Sequence, residues 1–189
     1  MTNFVIALSG PPGAGKTTMG RWLTGHLNAT RVNYDDHEQM TRRSEGEVAD
    51  WLARGAPIDE IPAPGLVDAV DQARQTSSVI YETPLGKAWG PTRDMISLSI
   101  WIETPLDLAL SRKLQIMAQA WQDKGGPAEP CAQWFKGHFQ AYEAIIRPSL
   151  LVQIDRVRSQ ADVVVHNDKS IDETRAQVLT AVASLQKQK

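Results

Sequence analysis

The run Gly10-Pro11-Pro12-Gly13-Ala14-Gly15-Lys16-Thr17 constrains this chain more than any other feature. It fits the spacing G-x-x-x-x-G-K-[ST]. The apolar run Phe4 to Leu8 stands before it, and Met19, Trp22, Leu23 and Leu27 recur at helical spacing after it. Strand, glycine-rich turn and helix follow one another, and the turn residues have a chemistry that explains each of them. Gly13 and Gly15 permit backbone angles that other residues resist, and they leave room for close approach. Successive backbone N–H groups then converge on phosphate oxygens, and the following helix adds the positive end of its dipole. Lys16 supplies a point charge between the β- and γ-phosphates, and the Thr17 hydroxyl is placed to ligate Mg²⁺. Gly10, Pro11, Pro12, Ala14 and Thr18 complete the expected nucleotide-binding stretch. The motif predicts ATP or GTP binding and does not by itself choose between hydrolysis and transfer.

The remaining apolar runs are short and rich in β-branched residues: Thr30 to Tyr34, Ser78 to Tyr81, Leu98 to Ile102 and Asp162 to Val165. Such runs suit strands buried on both faces of a parallel sheet. Leu106, Leu110, Leu114, Met117 and Trp121 step at helical intervals, and Ser170 to Glu173 reads as a capping box ahead of Val178, Val182 and Leu185. Strands alternating with helices predict a three-layer α/β domain with a five-stranded parallel sheet, in one unit over 1–189. Glu-Thr-Pro-Leu occurs twice, at Glu82 to Leu85 and Glu103 to Leu106, each time after an apolar run; this reads as two similar strand exits. Gly55 to Gly65 reads as a proline-rich loop, and Lys124 to Pro130 as the strongest joint in the chain.

Charge and cysteine content exclude several classes. Lys and Arg number 20 against 22 Asp and Glu, a formal charge of −2, and no basic run is longer than a pair such as Arg42-Arg43. A non-specific nucleic-acid binder would show a stronger basic excess, so nucleic acid is disfavoured as a partner. One cysteine, Cys131, allows no intrachain disulfide and no cysteine-based zinc site, and fits a reducing, cytoplasmic compartment. No apolar run approaches the roughly 18 residues of a membrane span. Met1 to Leu8 is too short and lacks the cationic flank of a secretory signal.

Three further positions are candidates for the site. Asp35, in Tyr34-Asp35-Asp36-His37, ends the second apolar run, and ligands of open parallel sheets sit at the carboxyl ends of strands. A carboxylate there accepts the proton of an attacking hydroxyl or helps to hold Mg²⁺. Its neighbour Asp36 should point to the other face, since strand residues alternate. Glu82, directly after the third run, is a candidate for Mg²⁺ or the acceptor. Arg112, beside Lys113 on the helix after the fourth run, is a candidate to neutralise charge developing on the transferred group. The scattered tryptophans at 22, 51, 89, 101, 121 and 134 read as packing anchors.

With these residues in place, the chain resembles the P-loop kinases of the uridine kinase and pantothenate kinase group over most of its length. Gly10 to Thr18 is similar to that family's phosphate loop, and Asp35 matches its strand-2 acid. Ile100 to Lys113 is similar to its fourth strand, proline and lid-helix Arg pair, and Arg158 to Lys169 to its last strand and the loop that approaches adenine. His37-Glu38 stand where the family has aromatic residues, and Ile116-Met117 where it often has Arg-Asp. The resemblance implies the P-loop NTPase fold with strand order 2-3-1-4-5 and a helical lid over 106–147. It also implies ATP and Mg²⁺ as cofactors and a small-molecule acceptor: a nucleoside, a pantothenate-like alcohol or a sugar acid. The expected reaction is transfer of the γ-phosphoryl group to a hydroxyl, with Asp35 as base. The competing expectations are an NTP-driven regulatory ATPase without an acceptor, and a kinase of nucleic-acid 5′ ends.

Overall fold

Alternation along the strands divides the interior in two. On β1 (Val5–Ser9), Val5 and Ala7 face one side while Ile6 and Leu8 face the other, and all five residues are buried. A strand with no polar position must be covered on both faces, which is what a central parallel strand requires. In this computed structural model, which describes residues 3–125 and 127–187, the other strands are β2 (Thr30–Asn33), β3 (Val79–Glu82), β4 (Leu98–Glu103) and β5 (Val163–His166). They form one parallel sheet in the order β2-β3-β1-β4-β5. The expected order is therefore observed, and each strand lies within a residue of its predicted run.

The helices cover the two faces as separate layers. α1 (Lys16–Leu27) and α8 (Ile171–Lys187) pack Met19, Leu23, Val178, Ala181 and Val182 against Ile6, Leu8, Ile80 and Ile100. The opposite layer is built from α2 (Glu45–Ala53), α3 (Leu66–Thr76) and α7 (Arg147–Arg158), with Trp51, Leu66, Val70 and Val157 against Val79, Tyr81 and Trp101. Each such fully buried aliphatic side chain contributes about 1.5–3 kcal/mol. The segment from Gly55 to Gly65 is a loop with one short 3-10 turn, as its prolines predict, and it inserts Ile58 and Ile61 into the core. Trp51, Trp89 and Trp101 are buried anchors.

After the four-residue α4 (Gly90–Arg93) and β4 comes a looser region. α5 (Leu106–Asp123) and α6 (Ala128–Ala141) form a helical pair, and α6 runs through a π-helical turn, Tyr142–Ile146, into α7. The apolar stripe of α5 predicts a well-covered face, yet Ala109 is its one buried residue and Ile116 is exposed. On α6, the rings of Trp134 and His138 stack on each other, as do those of Phe135 and Phe139. Of the expected joint at Lys124 to Pro130, Gly126 lies outside the described residues. Gly125 adopts φ 62°, and Trp121 Nε1 donates to the carbonyl of Pro127.

Candidate active site

The glycine run turns the chain from β1 into α1 at the carboxyl edge of the sheet. Gly13 has φ 87° and Gly15, the N-cap of α1, φ 95°. Space forbids side chains here as firmly as backbone angle does. A Cβ on Gly13 would stand 1.9 Å from the carbonyl oxygen of Ala109, and one on Gly15 2.6 Å from Asn167 Nδ2. Ala14 is buried between them, its N–H donating to Pro11 O. Pro11 is buried, whereas Pro12 and the Thr17 and Thr18 side chains at the head of α1 are open to solvent.

Lys16 folds back over this loop. Its Nζ donates to the carbonyls of Gly10 at 2.7 Å and Pro11 at 3.1 Å. Burial lowers its pKa to about 8; Asp35 and Glu82 pull it up, and Lys113 pushes it further down. The ammonium is thus poorly solvated and held by neutral carbonyls, so an anionic ligand at the loop would gain a strong partner.

Asp35 lies close enough to act on Lys16, as expected, but on a different backbone. β2 ends at Asn33, and Tyr34–Asp36 form a 3-10 turn in which Asn33 Oδ1 accepts from Asp35 N. The strand alternation that sets Asp36 on the opposite face from Asp35 therefore does not operate, and both carboxylates are exposed. His37 is anchored through Nδ1 to the carbonyl of Pro64, 3.1 Å away.

Glu82, the other carboxylate expected at the site, is buried with a partner of its own. Its carboxylate is 2% exposed, pairs with Arg31 at 2.9 Å and packs against Gly20, one turn along α1 from the loop. Arg31 thus engages one oxygen of the group expected to meet Mg²⁺, and the negative charge of Glu82 raises the pKa of Lys16. Arg112, too, has a partner within the protein. Its Nη1 donates to the backbone carbonyl of Asn167 at 2.9 Å, so the guanidinium ties α5 to the loop after β5. Lys113 is the α5 cation that acts on Lys16.

Asn167, Thr104 and Ala109, which no sequence motif singles out for the site, close around the loop. Asn167 Nδ2 donates to Ala14 O at 2.8 Å, Thr104 Oγ1 reaches the same oxygen at 3.4 Å, and Ala109 O lies against Gly13. Their signal was position: Asn167 and Thr104 directly follow β5 and β4, at the edge where ligands of parallel sheets bind.

No group of three or more His, Cys, Asp or Glu among the described residues forms a ready metal cage. Mg²⁺ needs none, since it commonly takes one or two protein oxygens together with phosphate and water. Thr17 and Asp35 offer oxygens of that kind beside the loop. No helix among the described residues is long and apolar enough to cross a membrane.

A parallel sheet of order 2-3-1-4-5, with a glycine loop passing from its central strand into a lysine-headed helix, is the P-loop NTPase fold. Comparison with known proteins narrows the resemblance within that fold. The chain is 27% identical to a uridine kinase of Pasteurella multocida over 140 residues, 71% of this chain and 60% of that protein. It is 26% identical to a shikimate kinase of Corynebacterium glutamicum over 147 residues, 75% of this chain and 82% of that one. A shikimate kinase structure from Acinetobacter baumannii, in complex with shikimate, superposes with a TM-score of 0.53 at 18% identity, covering 100% of this chain and 97% of that one. No family model matches. The chain is thus similar to P-loop kinases named for different small-molecule acceptors, a uridine kinase and shikimate kinases among them, and these likenesses single out no one acceptor.

Proposed function

We propose that this protein transfers the γ-phosphoryl group of ATP to a hydroxyl of a small metabolite. The observation that carries the reading is Lys16: a desolvated ammonium on the glycine loop, flanked by Asp35 and Glu82 at the carboxyl edge of the sheet. The two relatives, named for kinases of different acceptors, support the reaction class and leave the acceptor open. The candidate acceptors share an alcohol: a nucleoside as for the uridine kinase, or a hydroxy acid as for the shikimate kinase.

In this reading the loop amides from Gly10 to Thr18 hold the phosphate chain, and Lys16 neutralises charge at the β- and γ-phosphates. Asp35 orients the acceptor hydroxyl and takes its proton. The hydroxyl oxygen bonds to the γ-phosphorus as the bond to the β–γ bridging oxygen breaks, leaving ADP. Thr17 and Asp35 would hold Mg²⁺, which supplies further neutralisation of the phosphates. Glu82 keeps Lys16 charged and Arg31 in place. The helical segment 106–147 serves as lid, with Arg112 as its anchor. We place the activity in one unit, 1–189, in a reducing cytoplasmic compartment that suits the single thiol of Cys131.

The test offers Mg·ATP with a panel of nucleosides, hydroxy acids and sugar acids and follows ADP and phosphorylated product. The expected result is acceptor-dependent ADP release that falls about 10²–10⁴-fold in Asp35→Asn with ATP affinity largely kept. ADP release at one rate with every acceptor and with none would overturn the proposal in favour of a regulatory ATPase.

A further inference from the structure

The Ala14–Gly15 peptide has two ends with different partners. Its N–H, on Gly15, belongs to the loop that would face phosphate; its C=O, on Ala14, points back into the protein. That oxygen meets two side-chain donors, Asn167 Nδ2 at 2.8 Å and Thr104 Oγ1 at 3.4 Å. The Asn167 amide cannot be reversed, because its oxygen would then face the Ala14 oxygen. Its Oδ1 lies 3.2 Å from the hydroxyl of Thr174, whose single proton is shared among this oxygen, His166 O at 3.1 Å and Ser170 O at 3.3 Å, while the backbone N–H of Asn167 donates to Glu103 O at 2.8 Å. Asn167 and Thr104 are 6% and 5% exposed. Water therefore competes little for these bonds, and the local dielectric is low. The backbone carbonyl of Asn167 accepts from Arg112 on α5.

We infer that Asn167 and Thr104 are positioning residues that set the strength of phosphate binding through the Ala14–Gly15 peptide. A donor on a peptide carbonyl draws electron density along the amide and makes its N–H a stronger donor, so hydrogen bonds in series reinforce one another. Here the series runs from the Asn167 amide through the Ala14–Gly15 peptide to a phosphate oxygen. Asn167 also fixes the peptide sterically, since its Nδ2 fills the space a Cβ on Gly15 would need. Arg112 holds the same residue from α5, so the lid helix and the phosphate loop share one anchor. The inference rests on the reading of the loop as a nucleotide site, but not on which acceptor is used.

The test measures binding of ADP and of inorganic tripolyphosphate by calorimetric titration, with circular dichroism to confirm folding. Asn167→Asp keeps the shape but exchanges the donor for a carboxylate, which adds a negative charge beside the loop; its expected effect is a loss of about tenfold or more for both ligands, and the neutral Thr104→Val reads the donor effect without added charge. Thr104→Val is expected to lose about threefold for both, and Thr104→Ser, which keeps the hydroxyl, to bind as the parent does. In ADP-bound protein, the Gly15 amide proton resonance is expected to move upfield in Asn167→Asp and Thr104→Val and to stay in place in Thr104→Ser. Parent-like affinities and an unmoved Gly15 resonance in Thr104→Val and in folded Asn167→Asp overturn the inference. So does a loss confined to ADP, which would place Asn167 at the base. If Asn167→Asp does not fold, the two Thr104 variants decide alone. A parent that binds neither ligand overturns the nucleotide reading instead.

Discussion

Glu-Thr-Pro-Leu leaves the sheet twice, with different consequences. After β3, Glu82 is buried against Arg31, the Thr83 hydroxyl accepts from Leu85 N at 3.1 Å, and Leu85 is 1% exposed. All of these contacts anchor the end of a strand. After β4, Glu103 is partly exposed and accepts from Trp101 Nε1 and Arg158 Nε, while the Thr104 hydroxyl reaches Ala14 in the phosphate loop. The carbonyl of Pro105 then accepts the N–H of Ala109, and α5 runs for 18 residues. Two things outside the tetrapeptide separate the exits. After the first, Gly86, Gly90 and Pro91 fall in a short 3-10 turn and the four-residue α4, whereas Asp107, Leu108, Ala109 and Leu110 continue a long helix after the second. β3 also lies between β2 and β1, which sets Glu82 level with Asn33 and Leu8 and on the α1 side; β4 lies between β1 and β5, which sets Glu103 level with His166. A short motif states a way of leaving a strand, and its neighbours in the sheet decide what that exit does.

The contrast predicts a ranking of effects. The largest is at Gly13, against which the second exit packs its first helical turn. Gly13→Ala puts a methyl group into the Ala109 carbonyl at a positive φ, and is expected to cost about 3 kcal/mol of stability and to abolish measurable ADP binding. Thermal denaturation and titration check both. Next come the two glutamates. Glu82→Gln removes a buried charge from its partner and is expected to cost about 2 kcal/mol, while Glu103→Gln, in a pair 46% and 33% exposed, costs under about 1 kcal/mol. Urea denaturation of the two variants side by side would break the comparison if their losses were equal.

The pH dependence separates the same two residues in another way. The Lys16 pKa is lowered from 10.5 to about 8, and phosphate prefers the ammonium. Nucleotide affinity is expected to be level below pH 8 and to fall by up to about tenfold per unit above it, with proton uptake on binding. Glu82→Gln removes a group that raises the Lys16 pKa, so the fall begins at lower pH; Glu103→Gln leaves it in place. In the free protein the sign is opposite: between about pH 8 and 10.5 the unfolded chain binds the extra proton, so stability gains from Lys16 as pH rises. Calorimetry in buffers of different ionisation enthalpy reads the proton uptake. On ADP affinity the smallest effect is that of Thr83→Val, which leaves it unchanged while losing one local hydrogen bond, about 1 kcal/mol of stability.

Much of the fold was legible because its signals are local. Glycine geometry, β-branched runs and helical spacing act over a few residues, so the strands, α1 and the capping box of α8, with Ser170 and Glu173 bonded reciprocally, stand where they were expected. Asp35 was legible by residue type and position, but not its backbone: the Asn33 side chain captures the Asp35 N–H and turns the chain one residue early. Arg112 and Glu82 were found as charged residues near the right edge. Their partners, the Asn167 carbonyl and Arg31, lie 55 and 51 residues away, and no periodicity announces such pairs.

The sequence by itself determined that a strand, a glycine loop and a lysine-headed helix would build a parallel α/β domain, because each of those elements is specified by neighbours along the chain. Only the tertiary structure decided which residues complete the loop. Asn167 and Thr104 meet Ala14 across 153 and 90 residues of chain. They do so because β1, β4 and β5 lie side by side in parallel, so that their three carboxyl ends open at one edge, and that order is set by packing two helical layers onto both faces of the sheet.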